Sequence, residues 1–366
     1  MRLNAMTKRI LFTAGALALV VLIVLAAIFF RNKLFGSAKI TMTEGLELSS
    51  SADLHKFAGG FVGADGSQLT FFDAKGKASK TKEIPTGADA VMSPAGKSIA
   101  IYHDETMYLA FPGEEVNSSK PLNIAMSDIV CSAATDFVAL LNDERNIIYI
   151  LNEKGTKVDE LHFADQTIIN MGWFTLQREL LWVVAVDVTG SSPMGIVRIC
   201  EPGKTDVALR QFTDEIVYDL VINTETASAL AVGTKYISSV PLSTAGTPEN
   251  IKALVYGYQF LGASDNGSTI IMAPADEIEK SYVTSMRIVR GNTAVNIQLP
   301  AGCSAFCVGS KNIYAADAAT VYTIGFDGQI KDQMTFDVLY NSVKTIGNKR
   351  MMMFSGAGAT LVNLPD

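Results

Sequence analysis

The chain has 366 residues, 48% hydrophobic and 18% charged, which is enough for one large domain or two ordinary ones and excludes large-scale disorder. Its net charge of −7 is unevenly placed: residues 1–39 hold six of the 30 Lys and Arg and none of the 37 Asp and Glu, leaving 24 basic against 37 acidic, or −13, on residues 40–366. A body that acidic excludes nucleic acid and an anionic membrane surface, and favours a basic partner or a bound cation.

Residues 1–9 form a short N-terminal tail. Residues 10–30, ILFTAGALALVVLIVLAAIFF, are 21 without a charge. A helix of that length, at about 1.5 Å per residue, spans the roughly 30 Å hydrocarbon core of a bilayer. A cleavable signal peptide has a shorter apolar region of about 7–15 residues ending at small residues. Here Arg31 and Lys33 follow directly, and the small-residue candidate Gly36-Ser37-Ala38 lies beyond them. A retained transmembrane helix is therefore expected, with a linker over residues 31–38. Three basic residues flank it on each side, so the positive-inside bias sets no orientation. A short tail, one span and a large following domain is the signal-anchor layout. It predicts a single-pass protein of the cell membrane with its large domain extracytoplasmic.

From residue 39 onward the pattern is strands and tight turns. The phrase MSPAGKSIAIY, Met92 to Tyr102, returns 171 residues later as ASDNGSTIIMA, aligning Ser93 with Ser264, Gly96 with Gly267 and Ile99 with Ile270. A shift of 39 aligns it with CSAATDFVALLN, Ser93 falling on Ser132. Each copy reads as strand, turn, strand. Gly96 is expected to shape the turn, and Ile99 and Ile101 to face a neighbouring unit. A third strand follows each copy, as in LTFFDAKGK, IIYILNEKGTK and VYTIGFDGQI, ended by Asx-Gly-type turn residues that tolerate positive φ. Fourth strands such as ASKTKEIP, TKVDELHFA and QIKDQMTFD are polar, as an exposed outer edge requires.

The third strands centre near Phe71, Tyr108, Tyr149, Val197, Ile237, Met286, Tyr322 and Leu361, about 41 residues apart. A four-stranded unit of that period is the signature of a β-propeller blade. No unit shows a sustained 3.6-residue stripe, which excludes helical repeats. The expected fold is all-β: an eight-bladed β-propeller over residues 39–366, preceded by the single N-terminal transmembrane helix. Seven blades is the alternative if the weak strand at residues 53–60 is not one. The last unit ends after its third strand, so residues 39–49 are expected to supply its fourth and close the ring.

At SPAGKSIA the chain resembles WD-like propellers, whose repeats carry a Ser-Pro-Asp-Gly-Lys-x-Ile-Ala phrase; Ala95 replaces the usual Asp. Its third strands also resemble PQQ-like repeats, yet the Trp that ends those repeats is missing, with only Trp173 and Trp182 present. That departure argues against a quinone cofactor, and no cofactor is expected. The anchor-plus-ring layout is similar to uncharacterised membrane-anchored propeller proteins of Gram-positive bacteria, a resemblance that carries no functional residues.

Motifs for chemistry are few. The histidines His55, His103 and His162 are scattered, and His103 reads as a solvated turn residue beside Asp104 and Glu105. There is no Gly-x-Ser-x-Gly elbow, no H-E-x-x-H and no P-loop. The Asp-rich turns lack the closing Glu of a calcium loop and read as Asx turns. No metal site is expected, and Met351, Met352 and Met353 read as core. Cys131, Cys200, Cys303 and Cys307 lack zinc spacing. Cys303 and Cys307 would share one face of a strand, as half-buried thiols or, alternatively, a disulfide.

Function is expected where the repeat breaks. Two units are longer than the rest, at VDVTGSSPMG (residues 186–195) and PADEIEKSY (residues 274–282), both between second and third strands. A blade-to-blade connection, YGYQF (residues 256–260), lies between them. Loops lengthened on a rigid scaffold, with aromatics nearby, are where recognition resides. The candidate partner-binding residues are Asp187, Met194, Tyr256, Tyr258, Phe260, Asp276, Glu277 and Tyr282, for a protein or cell-envelope ligand. The alternative is a hydrolase or lyase using carboxylates such as Asp104, Asp276 or Glu277 on the loop face or in the central channel.

Overall fold

A computed structural model describes residues 39–365 apart from 97, 111–117, 122–124, 132–136, 205 and 243–251. The tail, the apolar run 10–30 and the linker lie outside the described residues, as does Ser132. Among the described residues no helix is long and apolar enough to cross a membrane.

Thirty-two strands among the described residues form eight four-stranded antiparallel sheets. Seven blades are continuous in sequence, at residues 53–83, 89–121, 126–162, 166–213, 217–254, 258–303 and 305–335. The first includes the strand Asp53–Phe57, which decides for eight over seven. The eighth runs from 342 to 363 and is completed by Thr41–Leu46, which pairs with Gly358–Asn363 through Thr41↔Asn363 and Thr43↔Leu361. All eight third-strand centres read from the sequence fall within third strands.

The second strands are sandwiched between blades and read as continuous apolar runs rather than alternations. In Val138–Asn142 every residue is buried. Period-2 geometry still sorts the side chains: Val138 and Leu140 pack toward the second blade with Ala100 and Met107, while Ala139 and Leu141 pack toward the fourth with Leu181 and Val183. Ile99 and Ile101 likewise meet Phe57, Val62 and Leu69 of the first blade. Met351, Met352 and Met353 are fully buried in the eighth. Outer strands such as Ala78–Glu83 and Ile330–Thr335 are exposed almost throughout.

The opening phrase and its echo build the same turn. Ser93 N–H donates to Ser98 O and Gly96 N–H to Ser93 O; Ser264 and Thr269, Gly267 and Ser264 repeat both bonds at the same 2.9 and 2.8 Å. Both glycines have positive φ, 76° and 70°. Each also abuts the preceding blade: a Cβ on Gly96 would lie 2.6 Å from Ala58 Cβ, and one on Gly267 2.0 Å from Ile222 O. Glycine is needed here for space as well as for φ.

At the seam where the ring closes, Leu46, Phe354 and Leu361 pack against Phe61 and Phe72, whose rings stack at 4.7 Å. Arg350 crosses the seam, donating to Gly60 O (3.0 Å), Gly59 O (2.6 Å) and Asn363 Oδ1 (3.2 Å).

Two expectations are corrected. Cys303 and Cys307 do not share a strand, because Cys303 ends the outer strand Thr293–Cys303 and Cys307 lies in the inner strand Ala305–Val308 of the next blade. Both are free and fully buried rather than half-buried; burial pushes each thiol up to about 12. The extra length of the fourth blade is mostly longer strands, Gln166–Thr175 and Glu179–Asp187, with a connection of only residues 188–193.

Candidate functional site

Second-to-third-strand connections and blade-to-blade connections meet on one face of the ring, tied by backbone bonds such as Gly87 N–H to Gly66 O (2.8 Å), Val255 N–H to Lys235 O (2.8 Å) and Tyr340 N–H to Ala318 O (2.8 Å). The opposite face carries the Ser-Gly turns. Thr41 opposes Asn363, at the end of a third strand that runs away from the loop face. The chain therefore enters the ring at the face opposite the long connections.

The connection in the sixth blade folds into one helical turn, Ala275–Ile278. Ala275 N–H donates to Gly257 O (3.0 Å), which holds the turn against Tyr256–Tyr258. Both carboxylate oxygens of Glu277 are occupied: Oε2 accepts from Thr284 N (2.6 Å) and Ser285 N (3.0 Å), Oε1 from Thr284 Oγ1 (2.8 Å) and Ser285 Oγ (3.2 Å). Burial pulls its carboxyl upward, but these four bonds outweigh that and hold it below the ordinary value. Glu277 thus orders its own connection. Asp276 pairs with Lys280 (3.3 Å) at the surface. Tyr282 lies over Gly302, where a Cβ would meet its ring at 2.9 Å.

Of the aromatics between the fifth and sixth blades, Tyr256 is 74% exposed. Tyr258 is half-buried with the Arg287 guanidinium 5.2 Å from its ring centre, and Phe260 is half-buried against the Val232–Ile237 cluster, its N–H donating to Tyr218 Oη (3.2 Å). Asp187 and Met194 oppose each other as the last pair of their hairpin. Asp187 accepts from Thr189 Oγ1 (2.6 Å) and N (2.8 Å), and those bonds lower its carboxyl. Met194 packs against the core between the third and fourth blades. The structure brings Tyr256, Tyr258, Asp276, Glu277 and Tyr282 to one sector, and places Asp187 and Met194 two blades away.

The sequence reading missed Val338 (51% exposed) and Leu339 (75%), in the connection between the seventh and eighth blades. Their neighbours Phe336 and Tyr340 are buried edge-to-face at 5.3 Å. An apolar run, FDVLY, at a connection was the available signal. Leu254 (55%) also belongs to this face.

The channel wall was missed as well. Strands one of the third, fourth and fifth blades each carry a bulge whose Asp or Asn caps the next amide: Asp128 to Ile129 N (2.8 Å), Asn170 to Met171 N (2.8 Å), Asp219 to Leu220 N (2.7 Å). Burial pushes the Asp219 carboxyl up to about 6, the one amide bond offsetting only part of that. A cavity of about 460 Å³ opens toward the loop face between the first three blades, lined by Asp53, His55, Asp89, Tyr102 and Asp128 among others. Burial lowers the His55 imidazole, only partly opposed by Asp53. His103 and His162 sit beside Asp104 (3.1 Å) and Glu160 (3.0 Å) at the surface. Among the described residues no group of three or more His, Cys, Asp or Glu is placed to hold a metal ion. Asp104 follows the second strand of the second blade, and Asp276 and Glu277 lie in the sixth blade's connection.

No protein-family model matches the chain. No curated protein matches it either. Solved structures do. BamB from Moraxella catarrhalis is similar with a TM-score of 0.58 and 11% identity, over 88% of this chain and 99% of that one. Sqt1 from Saccharomyces cerevisiae gives 0.58 and 8%, over 90% and 99%. Dihydro-heme d1 dehydrogenase NirN in complex with DHE gives 0.55 and 9%, over 88% and 77%. At such identities the likeness is one of fold, and the fold is a β-propeller. Function rests on this chain's own surface.

Proposed function

We propose that this chain is a membrane-anchored β-propeller that binds a protein or cell-envelope ligand through its loop face. The observation that carries the reading is where the ring leaves large apolar side chains uncovered. Val188 (65% exposed), Leu254, Tyr256, Tyr282, Val338 and Leu339 all belong to that face and its rim. Apolar groups grouped on one face of a rigid scaffold mark an interaction surface. Elsewhere among the described residues such side chains stand singly, Met42, Val158, Leu209, Val295 and Ile330 on outer strands and Leu176 in a first-to-second-strand turn. The turns at Gly96 and Gly267 are packed against the preceding blade. The apolar run 10–30 supports the anchor, and the ring's own first strand begins, at Thr41, on the face opposite the loops.

The test uses the full chain, cross-linked in its membrane and recovered with its partners. The variant Tyr256→Ser/Leu339→Ser should lose partners that the outer-strand control Leu209→Ser/Ile330→Ser keeps. Equal recovery from both variants overturns the loop-face assignment. Protease added to intact cells should remove the propeller; full protection overturns the extracytoplasmic placement.

A further inference from the structure

The loop face is divided by a cavity and by its apolar groups. Acids ring the whole face, with Asp65, Asp104, Glu105, Asp143 and Glu144 in connections over the first three blades and Asp276, Glu277, Glu279, Asp317 and Asp337 over the sixth to eighth. Only over the first three blades does a cavity beneath add three more, with Asp53, Asp89 and Asp128 on its wall. Two bases come near. Arg145 spends its guanidinium on Ile168 O (2.8 Å) and Ile169 O (2.8 Å), reaching Ser127 Oγ at 3.4 Å, and Lys344 donates to Ala52 O (2.8 Å). Neither is ion-paired with a carboxylate among the described residues. Among the described residues no Lys or Arg lines the cavity itself. Over the fifth to eighth blades the same face carries the uncovered Leu254, Tyr256, Tyr282, Val338 and Leu339; among the described residues the first three blades present no exposed large apolar side chain on this face. A second cavity of about 450 Å³ lies along the first strands of the sixth, seventh, eighth and first blades, lined by Leu54, Leu261, Phe306, Val343 and Lys344 among others, and shares Asp53 with the first.

We infer that the partner segment is a polypeptide with basic residues at one end and apolar residues at the other. Its basic end lies over the first three blades with one Lys or Arg side chain entering the 460 Å³ cavity, and its apolar end lies over Tyr256, Val338 and Leu339. The inference rests on the protein-binding reading above and names the partner's chemistry. A single cation is a poor occupant, since among the described residues no three carboxylates are placed to hold one. An extended cationic side chain suits walls contributed by three blades, because each carboxylate then faces a different part of it. The cavity opens to water, so the pairing gives register and salt sensitivity, and the apolar half supplies the larger share of affinity.

The probe is a fluorescein-labelled dodecapeptide with three arginines in one half and three leucines in the other, titrated by fluorescence anisotropy with the full chain in detergent. Replacing the arginines by glutamine should weaken binding about tenfold or more, and replacing the leucines by serine should do the same. Asp53→Asn/Asp89→Asn, at two exposed carboxylates, should reproduce the loss for the arginine peptide and leave the glutamine peptide unchanged. Glu44→Gln/Asp332→Asn, on the outer strands of the eighth and seventh blades, should change nothing, which separates the cavity from the general acidity of the body. Thermal midpoints of all variants verify folding. Equal binding of the arginine and glutamine peptides, no binding of the arginine peptide, or equal losses in cavity and outer-strand variants overturns the inference. If membrane partners are still lost on Tyr256→Ser/Leu339→Ser in that case, the protein-binding reading stands and only the partner's chemistry falls.

Discussion

The second and sixth blades are alike at one end and unlike at the other. On the turn face, Ser93–Ser98 and Ser264–Thr269 repeat the same two backbone bonds, with glycine at the same left-handed position pressed against the blade before it. On the loop face, the second blade turns in two residues, Asp104 and Glu105, both at positive φ, whereas the sixth takes eight residues and a helical turn. The shared end is constrained by a neighbouring blade. The loop end is held by its own hairpin and by backbone bonds to blade-to-blade connections such as Ala275 N–H to Gly257 O, with no neighbouring blade pressed on its turn, and there the chain departs from its repeat.

This contrast makes the turn face the costly place to change. Gly267→Ala should have the largest effect, because the new Cβ would sit 2.0 Å from Ile222 O at φ +70°. A loss of about 2–4 kcal/mol is expected in urea denaturation. A loss under 0.5 kcal/mol would show that the turn yields easily and would erase the distinction between the faces.

Between the faces, on the channel wall, Asp219→Asn sharpens the comparison with the opposite sign. The Asp219 carboxyl is raised to about 6 in the folded chain, against about 4 unfolded. Its contribution to stability is intact below pH 4 and is lost as pH rises through 6. Asparagine keeps the acceptor for Leu220 N–H, as Asn170 does for Met171 in the fourth blade. The variant should therefore be more stable than the parent by about 1–3 kcal/mol at pH 7 and equal to it near pH 4. Parallel pH profiles of the two thermal midpoints would contradict this.

The smallest effect belongs to the loop face. Asp187 and Met194 already oppose each other, so residues 188–193 can be replaced by Asn-Gly. Stability should change by less than about 1 kcal/mol. A larger loss in urea denaturation would place that hairpin with the core.

Much of the scaffold was legible because blade packing writes itself into the chain twice, as an apolar second strand and as a turn with glycine at a fixed offset. Even Asp53–Phe57, the weakest strand, followed from the period. The site was less legible for a physical reason. Val338 and Leu339 lie in the apolar run FDVLY, and only the ring shows that Phe336 and Tyr340 take its buried positions and leave these two outside. Asp53, Asp89 and Asp128 are 36 and 39 residues apart in sequence and come together only through the ring's curvature. Glu277 looked like a free acid because its four partners include two backbone amides. The pairing of Cys303 with Cys307 on one strand failed because the chain changes blade at Ser304.

The seam strand has a consequence for how the molecule is made. Thr41–Leu46 and its partner Gly358–Asn363 lie at the two extremes of the described chain. At about 5–20 residues per second of synthesis, the early strand waits roughly 15–60 s for its mate. Throughout that interval Phe61 and Phe72 of the first blade lack Phe354 and Leu361, their partners across the seam. A chain cut short before the eighth blade therefore keeps one apolar flank uncovered, so synthesis of that blade is read out as closure of a circle.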